Sequence, residues 1–274
     1  HLMSVCINQT SDPRGGLFNQ DRRGLPLTIA SGGLMKVSQQ AWTQPTASGT
    51  PSLGGWMAIS GAAIAPGLGN LTRGGISALA TFAGVRLGFW WDQSMRTGRK
   101  RPWSQLFTKS CGVLSETLGN FKGGAGDNWF LTDGGHFENT GAYALLAERA
   151  EVIVLADCGA DPRYEFDNLE NLVRKARIDL QADILFQRPR QAPRETAPAP
   201  TPIAGKYKAA APPAVGALPA GLARFGSLND LASPESTACL ALAKVHFSGD
   251  NPRSGILIVI KPKLCEGLPV GLVN

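Results

Sequence analysis

Short apolar runs along the chain predict β-strands. Leu2 to Ile7 and Leu25 to Ala30 are rich in apolar and β-branched residues, and turn-forming residues separate them. Trp129 to Leu131 forms a third run, which is followed at once by a polar, glycine-containing stretch. Glu151 to Ala156 is apolar after its first residue, which is typical of a buried parallel strand.

Helices are predicted from small-residue and amphipathic segments. Trp56 to Gly69 is packed with small residues that suit a helix passing close to a sheet, and Pro66 should end that helix. Ile76 to Trp91 is nearly uncharged and is expected to be a buried helix, whereas Pro102 to Leu118 should be amphipathic. The predicted core-facing residues of the amphipathic helix are Leu106, Val113, Leu114 and Leu118.

The order of elements in the second half of the chain predicts the fold class. Glu138 to Ala150 suits a helix between the last two strands, and Phe166 to Ile184 suits the next helix. A strand, helix, strand, helix order implies a right-handed crossover and hence an α/β layered architecture. Cys239 to Phe247 and Gly255 to Ile260 are predicted to form a β-hairpin that returns to the sheet.

Length and composition favour one large domain with an excursion. A chain of 274 residues, 43% of them hydrophobic, can bury a sizeable core. Residues 188–237 are rich in proline and alanine, which predicts a flexible excursion because proline neither pairs within a sheet nor continues a helix. We therefore divide the chain into residues 1–187, this excursion, and residues 238–274, whose hairpin returns to the same domain.

Charge and cysteine content narrow the function classes. The net charge of +6 favours anionic surfaces, but no nucleic-acid-binding motif accompanies the charge, so nucleic acid is not the expected partner. The five cysteines are far apart and never in a C-x-x-C spacing, which argues against a disulfide framework and a zinc site and favours a reducing, cytoplasmic compartment. No transmembrane run or signal peptide is visible in the sequence.

The strongest candidate for chemistry is the stretch W-F-L-T-D-G-G-H-F-E-N-T-G, residues 129–141. A short apolar run precedes Asp133, so Asp133 is expected to lie at the end of a strand, where its carboxylate is accessible to solvent or substrate. Gly134 and Gly135 can adopt positive φ and allow another backbone or a substrate to approach closely. The same dipeptide is also typical of an aspartate that only caps a helix or closes a turn.

An aspartate acting as a general base requires a nucleophile, and the sequence offers no good one. A nucleophile elbow needs G-x-S-x-G, and this pentad is absent from the chain. Ser31 follows a predicted strand and precedes two glycines, but Ile29 occupies the position that must be small, which favours an ordinary strand-end turn. His136 could suggest a Ser-His-Asp triad, although triads are recognised by geometry and not by sequence proximity. His246 lies in a predicted strand and is expected to be a packed or a surface histidine, and no spacing supports a metal site.

Tryptophans flank a basic run, a mixture that suits a surface resting on anionic lipid. The same pattern fits a solvated loop whose tryptophans lie in the core, and the sequence leaves both interpretations open. Membrane contact would place the protein at the inner face of a membrane. The residues concerned are Trp90, Trp91, Trp103, Arg96, Arg99, Lys100 and Arg101.

Two motifs in order resemble the C-terminal half of the patatin-like phospholipase fold. Leu131 to Asn139 is followed by a predicted helix and the run Val152 to Asp157, and in that family a D-G-G or D-G-x turn supplies the aspartate of a Ser-Asp dyad. Ile59 to Pro66 is similar to the A-x-S-A-A-x-x-P segment that precedes this turn. Together with Asn171 to Asp179 and Ile260 to Pro262, these segments are similar in sequence to large bacterial patatin-like proteins related to the cytosolic phospholipase A2 branch.

The resemblance implies a three-layer αβα fold that is incomplete at the N-terminus and ends in the β-hairpin, with residues 1–187 as the C-terminal part of the catalytic domain. It implies that Asp133 is the dyad base, that Gly134 and Gly135 shape its turn, and that Asn139 is a structural partner. No cofactor or metal is implied. The substrate would be a phospholipid, a lysophospholipid or another acyl ester.

The chain departs from the family in lacking a nucleophile. The glycine-rich oxyanion loop and the G-x-S-x-G elbow would both lie upstream of His1, so the chain resembles a fragment whose partner is the missing N-terminal part of the same domain. We expect the isolated chain to be inactive. The alternative is a non-catalytic scaffold or interaction domain that retains the fold, with Asp133 as a turn residue.

Overall fold

The computed structural model describes a mixed α/β protein with two β-sheets and several helices. Contacts divide the chain into a first unit, His1–Arg149 with Asp167–Lys175, and a second unit, Ala150–Phe166 with Ala176–Asn274. The described residues are 1–10, 23–45, 50–64, 77, 87–92, 112–186, 226–233, 236, 238–249 and 251–262. None of the helices in these ranges has the length and apolar character needed to cross a bilayer.

The first unit contains a five-stranded sheet in which every neighbouring pair is antiparallel. The strand order is β3-β2-β1-β5-β4, so β1 and β5 lie inside the sheet. The strands predicted at the start of the chain and before Asp133 are confirmed. The five strands are β1 (Leu2–Asn8), β2 (Gly24–Ala30), β3 (Met35–Val37), β4 (Phe89–Asp92) and β5 (Asn128–Asp133).

Alternating residues on one face of this sheet form the core of the first unit. Helix α1 (Leu53–Ser60) packs Trp56 and Ile59 against that face, and Ser52 caps the helix by accepting a hydrogen bond from the Gly55 N–H at 3.2 Å. The indole of Trp91 makes edge contacts with Trp56 and Trp129. The cluster comprises Val5, Ile7, Leu27, Ile29, Met35, Val37, Trp56, Ile59, Trp91, Trp129 and Leu131.

Helix predictions in the first unit need correction. Helix α1 begins before Trp56 and ends at Ser60, ahead of Pro66, which lies outside the described residues. The buried helix predicted at Ile76 to Trp91 is wrong at its end, because Phe89–Asp92 is strand β4. A uniformly apolar run has no helical periodicity, and its aromatic side chains favour a strand that can pair with β5.

The remaining predicted helices of this unit are shorter or face solvent. Residues 112–118 are helical, but Val113, Leu114 and Leu118 are exposed instead of facing a core, and Leu106 lies outside the described residues. Helix α2 (Ala142–Ala147) starts after Gly141, whose φ of 73° is left-handed. It is shorter at both ends than the helix predicted from Glu138 to Ala150; Tyr143 and Leu146 are buried, whereas Leu145 is exposed.

The second unit contains a four-stranded sheet of order β6-β9-β8-β7. β6 runs parallel to β9, and the other neighbours are antiparallel. The predicted hairpin is confirmed as β8 and β9. The elements of this unit are β6 (Val152–Ala156), β7 (Ala182–Phe186), helix α4 (Leu228–Ala232), β8 (Leu240–Phe247) and β9 (Arg253–Ile260). Helix α3 (Asp167–Leu180) is divided between the units, with Asp167–Lys175 in the first and the rest in the second.

The predicted crossover from β5 to β6 is wrong. β5 belongs to the five-stranded antiparallel sheet and β6 to the four-stranded sheet, so the two strands are not parallel members of one sheet. β6 is also not buried on both faces, because Val152 and Val154 are 59% and 60% exposed while Ile153 and Leu155 are buried. Its apolar run lies at a sheet edge, with one face toward solvent.

Two boundaries in the second half differ from prediction. The helix expected to reach Ile184 ends at Leu180, because Gln181 adopts a left-handed φ of 51° and Ala182–Phe186 forms β7. The predicted excursion at 188–237 lies mostly outside the described residues, but residues 226–233 include helix α4. Ser227 caps α4 in a capping box with Asp230.

Candidate functional site

Asp133 is the last residue of β5, as the sequence predicted. Asp133 itself pairs with Val5 of β1, and the preceding residues of β5, up to Leu131, also pair with β4. Asp133 is half-buried, and its Oδ1 accepts a hydrogen bond from the Gly135 N–H at 2.7 Å. The carboxylate therefore caps the short 3-10 turn Gly134–His136 while it remains partly accessible.

Other groups pack closely against both glycines after Asp133. Neither adopts a left-handed φ. A Cβ on Gly134 would lie 2.5 Å from the carbonyl oxygen of Ser4, and a Cβ on Gly135 would lie 2.7 Å from Oδ1 of Asn139. The sequence predicted a close approach here, and the structure identifies the β1 backbone and an asparagine side chain as the groups that approach.

His136 is held by two hydrogen bonds that do not involve Asp133. Its Nδ1 lies 2.9 Å from Oγ1 of Thr132, and its Nε2 lies 3.0 Å from the carbonyl oxygen of Ala63. A carbonyl only accepts, so we assign the proton to Nε2, which leaves Nδ1 to accept from the Thr132 hydroxyl. Burial lowers the pKa of His136, although the bond to Ala63 and the charge of Asp133 oppose this effect. His136 is a neutral structural link between two segments.

The small-residue segment that follows α1 meets the turn after Asp133. Ser60 donates its hydroxyl to the carbonyl of Ser4 at 2.8 Å, and this is the carbonyl against which Gly134 packs. Ala63 accepts the bond from His136. The described part of the segment predicted from Ile59 to Pro66 is therefore in direct contact with the D-G-G turn, although 70 residues separate the two in sequence.

Asn139 lies beside the turn and does not contact Asp133 through a hydrogen bond. Its Oδ1 faces Gly135, and its Nδ2 donates to Oδ1 of Asn168 at 3.3 Å. The side chain thus links the turn to the start of α3, within the first unit. This geometry is compatible with the structural role that the resemblance implies.

Two side chains of α3 form hydrogen bonds with the backbone that follows the turn, and the sequence did not predict this role for either. The carbonyl of Phe137 accepts hydrogen bonds from Nδ2 of Asn171, at 3.3 Å, and from Nζ of Lys175. The Lys175 ammonium also lies 3.8 Å from the Phe137 ring centroid. The i, i+4 spacing of Asn171 and Lys175 on α3 could have indicated a shared face, but nothing in the sequence indicated its partner.

Glu138 is the second buried acid near the turn. Its Oε1 accepts from the Thr140 N–H at 2.7 Å and its Oε2 from the Tyr143 N–H at 3.3 Å, so the carboxylate supplies acceptors at the start of α2. Burial raises the pKa of Glu138 above its usual value, although the hydrogen bonds from Thr140 and Tyr143 and the charge of Lys175 oppose the increase.

Ser31 is too far from Asp133 to share a proton with it. Val5 pairs with Leu27 on one side and with Asp133 on the other, so Asp133 is level with Leu27 at a distance of two strand spacings. Ser31 lies four residues beyond Leu27, in the 3-10 turn Ser31–Gly33. Strand geometry then separates the Cα atoms of Ser31 and Asp133 by about 17 Å, which exceeds hydrogen-bond reach. Ser31 is an ordinary strand-end residue, as predicted.

Trp90 and Trp91 of the predicted lipid-binding surface pack inside the protein. Trp91 is 2% exposed, and Trp90 packs against Phe130 and donates its indole N–H to Oε1 of Glu116 at 2.7 Å. The basic run at residues 96–101 and Trp103 lie outside the described residues. Contact with an anionic membrane through Arg96, Arg99, Lys100 and Arg101 stays a prediction. His246 lies in β8, also as predicted, with Nδ1 3.1 Å from Oγ of Ser254.

The described residues contain no group of three or more His, Cys, Asp or Glu side chains arranged to hold a metal ion. Comparison of the chain with known protein families, characterised proteins and solved structures finds no match. The resemblance to patatin-like enzymes therefore rests on the motifs themselves and on how the fold arranges them.

Proposed function

We propose that this chain is the aspartate-bearing portion of a patatin-like serine acyl-ester hydrolase of the phospholipase or lysophospholipase type. Asp133 is the base of a Ser-Asp dyad whose serine is supplied by sequence outside these 274 residues. The corresponding fold is the three-layer αβα architecture of that family, with the β8–β9 hairpin at its C-terminal end. Phospholipids or other acyl esters are the substrates, at the inner face of a membrane.

The observation that supports this proposal is the meeting of two motifs at one turn. Each motif alone is a weak signal, because Asp-Gly turns and small-residue helices are common in proteins. In the fold, Ser60 and Ala63 of the small-residue segment contact Ser4 and His136 around the D-G-G turn. Motifs that belong to one site should meet in space, and these do.

The geometry also suits a dyad better than a triad. A dyad base must take a proton directly from the serine hydroxyl, so its carboxylate needs an accessible oxygen on a rigid backbone. Asp133 has a half-buried carboxylate at the end of an internal strand. His136 is engaged with Thr132 and Ala63, so it is not positioned to relay the proton.

A non-catalytic scaffold is the second candidate. The hydrogen bond from the Gly135 N–H to Asp133 is the bond that a purely structural cap would make. In that case Asp133 would stabilise the turn and have no catalytic role. The two proposals differ in what happens when the carboxylate is replaced by an amide, because an amide oxygen can still cap but cannot act as a base.

The test is fluorophosphonate labelling of the full-length protein that contains this chain. We expect labelling of the wild type and loss of at least 100-fold in labelling rate for Asp133→Asn, since general-base catalysis contributes about 10²- to 10⁴-fold. Asp127→Asn is the matched control, because Asp127 is an exposed aspartate just before the other end of β5. The isolated chain should not be labelled. Equal labelling of Asp133→Asn and the control would reject the dyad and favour the scaffold.

A further inference from the structure

The second unit contains a cavity of about 800 Å³. Its wall is formed by the loop that follows β6, residues 157–164, together with Ala232 of α4 and Lys261 and Pro262 after β9. Sites for small molecules in proteins usually enclose about 300–1,000 Å³. The cavity lies in the second unit and shares no residue with the turn at Asp133, so it is separate from the site of the proposed hydrolase function.

Two carboxylates at the cavity wall share one ammonium. The Lys261 ammonium lies 2.9 Å from Oδ2 of Asp157 and 3.4 Å from Oδ2 of Asp161. Burial alone would lower the pKa of Lys261, but its contacts with Asp157 and Asp161 outweigh burial and raise the pKa, so the ammonium stays charged. The ion cluster braces the loop and keeps one negative charge, which the guanidinium of Arg163 in the same wall offsets.

Backbone hydrogen bonds from the loop also engage these carboxylates. Asp161 accepts from the N–H groups of Glu165 and Phe166, at 2.8 and 3.0 Å. Asp157 accepts from the Gly159 N–H at 3.3 Å. Every one of these bonds turns the carboxylates toward the loop itself.

Three hydrogen-bond donors along the same loop are available to a ligand: two backbone N–H groups and one guanidinium. Among the described residues, none accepts a hydrogen bond from the backbone N–H of Cys158 or of Ala160. Arg163 is 77% exposed at its side chain, and its contact with Glu165, at 3.2 Å, is an exposed ion pair of little strength. A carboxylate or phosphate could displace Glu165 and accept from the guanidinium fork.

The rest of the wall is apolar and pre-organised. Pro162, Ala232 and Pro262 contribute apolar surface, and the aromatic ring of Tyr164 lies among them. Tyr164 adopts a left-handed φ of 52°, which is uncommon for a bulky residue and requires support from its surroundings. Its N–H donates to the carbonyl of Asp161 at 3.2 Å, so the braced loop supplies that support.

We propose that this cavity binds an amphipathic anion, with the carboxylate or phosphate head group on Arg163 and the amides of Cys158 and Ala160, and an alkyl chain against Pro162 and Tyr164. The ligand class includes a free fatty acid and a phosphate monoester with an apolar group. Binding does not depend on the dyad, so its failure and the failure of the hydrolase proposal are separate results.

The alkylation rate of Cys158 can report ligand binding at this site. Cys158 and Cys239 are both free and exposed, but Cys158 alone lines the cavity. Decanoate or decyl phosphate, each below its micelle concentration, should slow iodoacetamide alkylation of Cys158 and leave Cys239 unchanged, as measured by peptide mass spectrometry. Decanol and inorganic phosphate should protect neither cysteine, because each lacks half of the recognised chemistry.

Calorimetric titration with decanoate and with decyl phosphate then compares two arginine variants. Arg163→Ala should weaken binding by about tenfold or more, because a charge-assisted bidentate contact is lost. Arg177→Ala is the matched control, since Arg177 forms an equally exposed pair with Asp183 in the same unit, away from the cavity wall. Affinity for decanoate alone assigns a fatty acid, and affinity for decyl phosphate alone assigns a phosphate monoester. The proposal fails if neither ligand binds, if decanol protects Cys158 equally well, or if both variants weaken binding equally.

Discussion

Gly134→Ala tests the packing of the turn that carries Asp133. A Cβ at this position would lie 2.5 Å from the Ser4 carbonyl oxygen and 2.6 Å from the Ser4 carbonyl carbon. Both atoms belong to the backbone of β1, which is paired on both sides and cannot move without disturbing β2 or β5. The turn itself would have to shift, and Asp133 would shift with it.

The magnitude follows from two costs. Overpacking of this kind costs about 1–3 kcal/mol. The added methyl group also crowds the Ser4 carbonyl oxygen and so weakens the 2.8 Å hydrogen bond that it accepts from Ser60, which is worth about 0.5–1.5 kcal/mol. We therefore expect Gly134→Ala to lower the free energy of unfolding of the first unit by about 2–4 kcal/mol.

Gly135→Ala is the matched control, one residue away. The nearest group to its added Cβ is Oδ1 of Asn139, 2.7 Å away, which is the end of an exposed side chain that can rotate aside. We expect a loss of less than about 1 kcal/mol, chiefly the weak bond to Asn168. Gly54→Ala, whose Cβ would meet no atom within 4 Å, should leave stability unchanged or slightly raised.

Urea unfolding followed by tryptophan fluorescence is the suitable assay. All six tryptophans of the sequence fall within His1–Arg149, so the signal reports the first unit. With an m-value of about 2 kcal/mol per M, the expected loss for Gly134→Ala moves the midpoint down by about 1–2 M. If Gly134→Ala and Gly135→Ala have equal midpoints, the close approach of β1 is not what requires glycine at position 134, and the packing argument fails.

Two further predictions concern the buried groups around the turn. Because burial raises the pKa of Glu138, the folded state binds the proton of this carboxyl more tightly than the unfolded state does. As the pH rises from 4.5, the free energy of unfolding of the wild type should therefore fall relative to that of Glu138→Gln. A difference between the two proteins that is constant from pH 4 to 8 would contradict this. Because burial lowers the pKa of His136, the wild type should lose stability relative to His136→Gln as pH falls below 6.5. His136→Gln should also keep fluorophosphonate labelling of the full-length protein within about tenfold of wild type, and a loss as large as that of Asp133→Asn would support a triad instead.

Local patterns were sufficient to place strands but not to pair them. The run Trp129 to Leu131 predicted β5, and the apolar run after Glu151 predicted β6, because apolar and β-branched residues favour strands whatever their neighbours are. Their assignment to one sheet was wrong, since a strand's partners depend on which edges are free. β5 pairs with β1 and β4 in one sheet and β6 pairs with β9 in another. The aromatic run Phe89 to Trp91 of β4 was itself mistaken for the end of a helix.

The sequence alone determined that the candidate base lies at a strand end. An apolar run followed by Asp-Gly-Gly places a carboxylate at a strand end through local backbone preferences, which short segments carry by themselves. Tertiary structure decided what surrounds Asp133: the β1 backbone against Gly134, the neutral link through His136, and the bonds from Asn171 and Lys175 to the Phe137 carbonyl. Those contacts join residues that are far apart along the chain, and their formation depends on packing and burial that no local pattern encodes.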